Sequence, residues 1–181
     1  MAKLITKAKQ IIIAAWGEND TTYPTSGEQL DYVIADSLSV NQDDAEETTF
    51  EFETSDQGET FYTDGDINVD LQNAELSEDF MTKIMGWVKI TTPAGVIAPE
   101  QHVQKYVALQ VKFADDDYFF LPKIAVAPKL VMESVKTNLV YGTISGKATM
   151  GTVGTGATAK KTAIGRFKAP ILTKAAAETG G

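Results

Sequence analysis

The sequence predicts a mainly β protein: two packed antiparallel β-sheets, sandwich-like or barrel-like, with one short flanking α-helix at about residues 77–85. Three observations predict it. Apolar and polar residues alternate with period two over most of the chain, as strands with one buried and one wet face require. Turn-forming clusters of Gly, Pro, Asn, Asp and Ser separate these runs by short links, which favours antiparallel ladders. A single segment carries helical spacing instead. At 181 residues, the chain is expected to form one domain and to bury a core without staples.

Taken in order, Gln10–Ala15 is an apolar run that reads as a first strand, and Glu18–Glu28, with Pro24 and Gly27, reads as a polar linker. Tyr32–Val40 is a second strand candidate. Phe50 and Phe52 then alternate with Glu51 and Glu53 in 48–54, and Ile67, Val69 and Leu71 alternate with polar residues in 66–72. Ser55–Gly58 and Asp64–Asp66 supply the turns around them. Leu76–Gly86 is the helix: Ser77 can cap its first amides, Glu78 and Asp79 suit its positive end, and Lys83 suits its negative end. Phe80, Ile84 and Met85 form its apolar face, and Gly86 closes it. Further strands are predicted at Gly86–Thr92, Val103–Phe113, Asp117–Ala125, Lys129–Val135, Leu139–Thr149 and Ala163–Lys168. Pro93-Ala94-Gly95 and Lys136-Thr137-Asn138 are turns. Mobile segments are expected near 18–28, at 150–161, which is rich in Gly and Thr, and at 174–181. No internal repeat is present.

Composition excludes much chemistry. There is no cysteine, so there is no disulfide framework, thiolate nucleophile or cysteine-ligated zinc. His102 is the one histidine and lacks a triad signature in its surroundings. No apolar run approaches the roughly 20 residues of a membrane-spanning helix. The basic start with its short apolar run lacks a small-residue cleavage site, so no signal peptide is expected. Asp115-Asp116-Asp117 reads as an acidic hairpin turn, because neighbours on a strand point to opposite faces and do not converge on one ion. The glycines of 151–156 lack the Lys-Ser/Thr and following helix of a phosphate loop. Glu51 and Glu53 could imitate a glycosidase pair, but acids are so abundant around them that surface electrostatics explains them better. Trp16 and Trp87 read as core or interface residues. No catalytic residue, metal ligand or cofactor is expected.

Charge is divided along the chain. Gln10–Thr82 contains no lysine or arginine and holds 19 of the 25 acidic residues. From Lys83 onward there are 13 basic and 6 acidic residues. The acidic half is interrupted by Phe, Tyr, Ile, Val and Leu, so it is expected to fold with one strongly negative surface rather than to form a solvated tail. Such a surface repels nucleic acid.

Three segments in this order carry a resemblance. The first is the Asp36–Glu53 stretch, a strand followed by a glutamate-rich strand. The second is Gly65–Gly86, a strand running into a helix that ends in glycine. The third is Phe120-Leu-Pro-Lys-Ile-Ala-Val-Ala-Pro-Lys-Leu130 with the small-residue strand from Leu139 to Ala148. Together, over roughly Leu30–Lys168, they resemble the major tail proteins of long-tailed bacteriophages, which form the tail tube. The resemblance implies two packed sheets flanked by a helix. It also implies self-assembly into hexameric rings stacked as a hollow tube for DNA delivery. Its implied partners are tape-measure, tail-terminator and baseplate proteins, with DNA passing through but not held. Its implied location is the virion tail, after synthesis in the bacterial cytoplasm, with no membrane and no cofactor. Family members order a loop or hairpin between rings, and here the candidates are 18–28 and 150–161, with Gly151, Gly154, Gly156, Lys160 and Lys161. The family has no shared catalytic residues to carry over.

The charge division fits a DNA conduit, whose wall should not bind phosphate. Glu47, Glu51, Glu53, Asp66 and Asp70 lie on the polar faces of adjacent strand candidates and are the candidate lumen-facing acids, with solvation of an outer surface as the other reading. The alternatives from other classes are a capsid decoration protein and a carbohydrate-binding β-sandwich.

Overall fold

The computed structural model describes residues 8–17, 20–50, 59–63, 65–101, 104–113, 117–132 and 140–176. Its strands are β1 Ala8–Ala15, β2 Ser26–Gln29, β3 Ser39–Gln42, β4 Glu46–Phe50, β5 Glu59–Thr63, β6 Ile67–Asn73, β7 Val88–Thr91, β8 Ala94–Ile97, β9 Lys105–Phe113, β10 Tyr118–Met132, β11 Val140–Thr149, β12 Gly151–Val153, β13 Lys160–Thr162, β14 Gly165–Phe167 and β15 Thr173–Lys174. The mainly β class stands. The strands expected in two facing sheets are instead joined in one nine-stranded sheet, in the order β15-β2-β1-β9-β10-β11-β6-β3, with β14 added to β10. Three two-stranded ribbons accompany it: β4–β5, β7–β8 and β12–β13. The sheet does not close on itself, because β15 and β3 end the order.

Period two decides which residues are buried. On one face, Ile11 and Ile13 of β1, Val107, Leu109 and Val111 of β9, Leu121, Ile124 and Val126 of β10, Ile144 of β11, and Val69 and Leu71 of β6 form the main core. The inward set of β10 switches from odd to even numbers because its register with β9 shifts between Leu121 and Ile124. Such a bulge keeps one extra residue from turning the rest of the strand inside out.

The helix lies across this face. Ser77 caps it, its hydroxyl accepting the Phe80 N–H at 3.0 Å. The turn over Phe80–Ile84 is wider than an α turn, with Met85 N–H bonded to the Phe80 carbonyl at 3.1 Å. An i→i+5 turn stacks Met85 with Phe80 and Ile84, so all three enter the core. β11 makes room at Gly142, where a Cβ would lie 3.1 Å from the Phe80 ring, 3.3 Å from Leu76 and 3.3 Å from the Met85 sulfur.

Other differences from the sequence reading have local causes. In Tyr32–Val40 only a bridge at Val33 and the start of β3 pair, because Asp36 adopts positive φ in a turn where Ser37 N–H bonds to the Ile34 carbonyl. The two strands expected at 117–125 and 129–135 are one 15-residue strand. β9 ends opposite Val126, so Pro128 has a ladder neighbour on one side only, where proline is tolerated. The 18–28 linker contains β2, which pairs with β1 and, in parallel, with β15. The expected loop at 150–161 is the β12–β13 ribbon closed by a 3-10 turn at Gly156–Thr158.

Candidate interaction surfaces

The opposite sheet face is covered in part by the C-terminal segment 163–176, a strap over β1, β9 and β10. Leu172 fills a second apolar cluster with Ile12, Ala14, Ala108 and Phe120. Gln110 holds the strap by its backbone. Its Oε1 accepts from Ile171 N–H at 2.7 Å and Leu172 N–H at 2.8 Å, and its Nε2 donates to the Leu172 carbonyl at 3.0 Å. Next to it, Arg166 and Lys168 both ion-pair with Asp117, whose side chain is buried. Hydrogen bonds from Lys168 and Arg166 hold the Asp117 carboxyl below its ordinary value of 3.8, against the opposing effect of desolvation. Trp16 donates its indole N–H to the Pro122 carbonyl at 2.8 Å, and the Lys123 ammonium lies over the Trp16 and Tyr106 rings at 4.9 and 4.4 Å.

A depressed carboxyl stabilises the fold at pH values above its unfolded value and loses that contribution as pH falls through its folded value. Acidification below about pH 4 is therefore expected to loosen β14 before the main sheet, seen as faster amide exchange at Gly165–Phe167. Asp117→Asn should abolish the acid step. Equal acid sensitivity of this variant and wild type would remove Asp117 from that role.

Beyond the strap the same face is open and polar. Asp66, just before β6, and Asn68 and Asp70 on it lie beside Ser145 and Lys147 of β11. Asp70 accepts from the Ser145 hydroxyl at 2.6 Å, Asp66 ion-pairs with Lys147, and Asn68 donates to Asp43 at 2.9 Å. Asp66 raises the pKa of Lys147 through hydrogen bonding and charge. Two of the candidate lumen acids thus share one exposed face, interleaved with a lysine rather than uniformly acidic. Glu47 lies on β4, which pairs with β5 and is not a ladder neighbour of β6, so the expected adjacency of these strands is not found. Glu51 and Glu53, like His102, Asp115 and Asp116, lie outside the described residues.

Of the candidate loop residues, Gly151 is buried where β12 meets β10, and a Cβ there would approach Pro122 to 2.7 Å. Gly154 and Gly156 take positive φ in the connecting turn, and Lys160 and Lys161 are exposed on β13. Trp87 packs against the main core. A cavity of about 630 Å³ beside the helix is lined by Glu28, Asp31, Glu75, Glu78, Asp79, Lys83 and Lys174, among others. Desolvation there raises the pKa of Glu28, while the hydrogen bond from Ser77 opposes it. Gln110, Asp117 and the Lys123 stack were not identifiable in the sequence. Only the unbroken Asp115–Asp117 run hinted at one of them. Among the described residues, no group of three or more His, Asp or Glu side chains is arranged to hold a metal.

No family model matches the chain, and no curated protein matches it. Among solved structures it is similar to a chain in the cryo-EM structure of the PVC sheath/tube terminator of an extracellular contractile injection system in the extended state. That match has 10% identity and a TM-score of 0.41, covering 81% of this chain and 94% of that one. It is also similar to a chain in the sheath-tube complex of such a system in the extended state, with 10% identity and a TM-score of 0.36, covering 76% of this chain and 83% of that one.

Proposed function

We propose that the chain is a structural subunit of a phage-type tail, and specifically the major tube protein, assembling as stacked hexameric rings around a DNA channel. The observation that carries this reading is the open sheet: among the described residues, β3 and β15 each have a ladder partner on one side only. Unpaired edges are templates for another chain, and a ring of subunits uses them. The lysine-free segment from Gln10 to Thr82 supports the same reading, since it supplies a wall that phosphate does not adhere to. Glu47, Glu51, Glu53, Asp66 and Asp70 are then the channel acids, and tape-measure, terminator and baseplate proteins are the partners at the tube's ends.

Negative-stain microscopy of the concentrated protein is expected to show six-fold rings or tubes. A protein that stays monomeric in sedimentation at the same concentration, with no rings in the images, overturns the reading.

A further inference from the structure

We propose that residues 1–7 close an apolar groove at the start of β1 in their own subunit, as a lid that keeps its lining from water. The inference goes beyond the tube reading above and does not depend on assembly.

The groove opens at one end of the main apolar face. Ile11, Val33, Leu38, Phe113 and Leu121 are in its lining, and its volume is about 630 Å³. Asp36 is the one charged residue of that lining. Val40, also in the lining, is 36% exposed, and Ala35 beside Asp36 is exposed as well. Apolar surface left open in this way is unfavourable in water.

Place, reach and chemistry name the occupant. Ala8 is itself in the lining and packs against the main core, so the chain that precedes it starts from the groove's edge. Ala8 pairs with Phe113, the last residue of β9, so this ladder carries the chain no further. Lys9 is the extra residue of a bulge between Ala8 and Gln10. A bulge bends its strand, which frees the chain before Ala8 from the line of β9.

Leu4 is four positions from Ala8, a reach of at most about 14 Å, so Leu4 and Ile5 can enter the groove without any rearrangement of β1. A segment tethered at the rim acts at an effective concentration of order millimolar, which a free partner would have to exceed. Met1, Leu4 and Ile5 are the large apolar residues of 1–7, and Lys3 and Lys7 are its charged ones, with no acid among them. Leu4 and Ile5 match the apolar lining, and the two lysines flank them with the charge that Asp36 attracts.

The test starts with deletion of residues 2–7. The deletion is expected to speed amide exchange at 33–38 about tenfold or more and to raise binding of an apolar fluorescent dye several-fold, while β6 and β11 keep their protection. Unchanged exchange and dye binding overturn the lid. The chain has no cysteine, so the contact can also be trapped in the full chain. Leu4→Cys is combined with Ala35→Cys or with Val40→Cys, both exposed positions of the lining. At least one of these pairs should close a disulfide within one chain on oxidation. Leu4→Cys with Met132→Cys, at the exposed end of β10, should not. Closure of neither lining pair, or equal closure of the Met132 pair, overturns the lid. If the doubly substituted proteins give only disulfide-linked dimers, the occupant is another copy and the assignment to the same subunit is overturned.

Discussion

Gln110→Ala is expected to release the C-terminal strap and to lower stability by about 3 kcal/mol, since each buried polar group left without a partner costs about 1–3 kcal/mol. Three backbone groups, Ile171 N–H, Leu172 N–H and the Leu172 carbonyl, depend on this one side chain. Gln110 itself is almost fully buried, so water cannot replace it without opening the second cluster. Leu172 would leave that cluster with the strap, uncovering Ile12 and Phe120. The expected result is a lower denaturant midpoint together with faster amide exchange across 163–174, while β6 and β11 keep their protection. Gln110→Leu should restore apolar packing but not strap protection, which separates the hydrogen bonds from the volume. Wild-type exchange in the strap of either variant would show that Leu172 alone holds it.

Phe80→Ala is expected to have the largest effect of a single truncation, about 3–5 kcal/mol, the range for a buried aromatic deleted from a core. Phe80 is fully buried, and the Gly142 backbone closes directly over its ring. Neither the strand nor the short helix can shift far enough to fill the space, because Met85 and Leu76 already crowd the same glycine. Thermal unfolding should move down cooperatively. Gly142→Ala is the reciprocal change: its added methyl meets three neighbours at 3.1–3.3 Å and is expected to destabilise by overpacking. A Phe80→Ala protein within about 1 kcal/mol of wild type would mean that the helix is a surface appendage rather than part of the core.

The sequence was legible where an apolar run or an intact period marked an element: β1, β6, β9 and β11 lie within two residues of the predicted runs, β1 and β9 being buried on both faces, and Ser77, Phe80, Ile84 and Met85 mark the helix. What period two could not show was which strands share a ladder. Two facing sheets and one continuous sheet impose the same alternation on each strand, so β4 and β6 looked like neighbours and are not. The pattern also could not show elements stabilised from a distance. β2 and β15 are short and polar, and they exist because β1 holds β2 and the strap brings β15 to it. Gln110 looks like one more outward polar residue of β9, and its partners lie 61 and 62 positions further on. The β7–β8 ribbon was half visible, as a strand followed by a turn, because Gly95 and Pro93 read as the end of structure when they lie within the hairpin.

The parallel pairing of Thr173 with Ser26 has a consequence in folding time. β1 and β2 can meet once a short loop closes, as Ile13 and Glu28 do, whereas β15 must close a loop spanning nearly the whole chain. Loop-closure entropy has to be met before such a distant contact gives anything back. During folding the outer edge of β2 is therefore bare long after its inner edge is satisfied. An unpaired strand edge is a template for any other strand, and that interval is when a wrong partner can be taken. The remedy is local: Ser26-Gly27-Glu28-Gln29 is short, polar and charged, a poor template until the strap arrives.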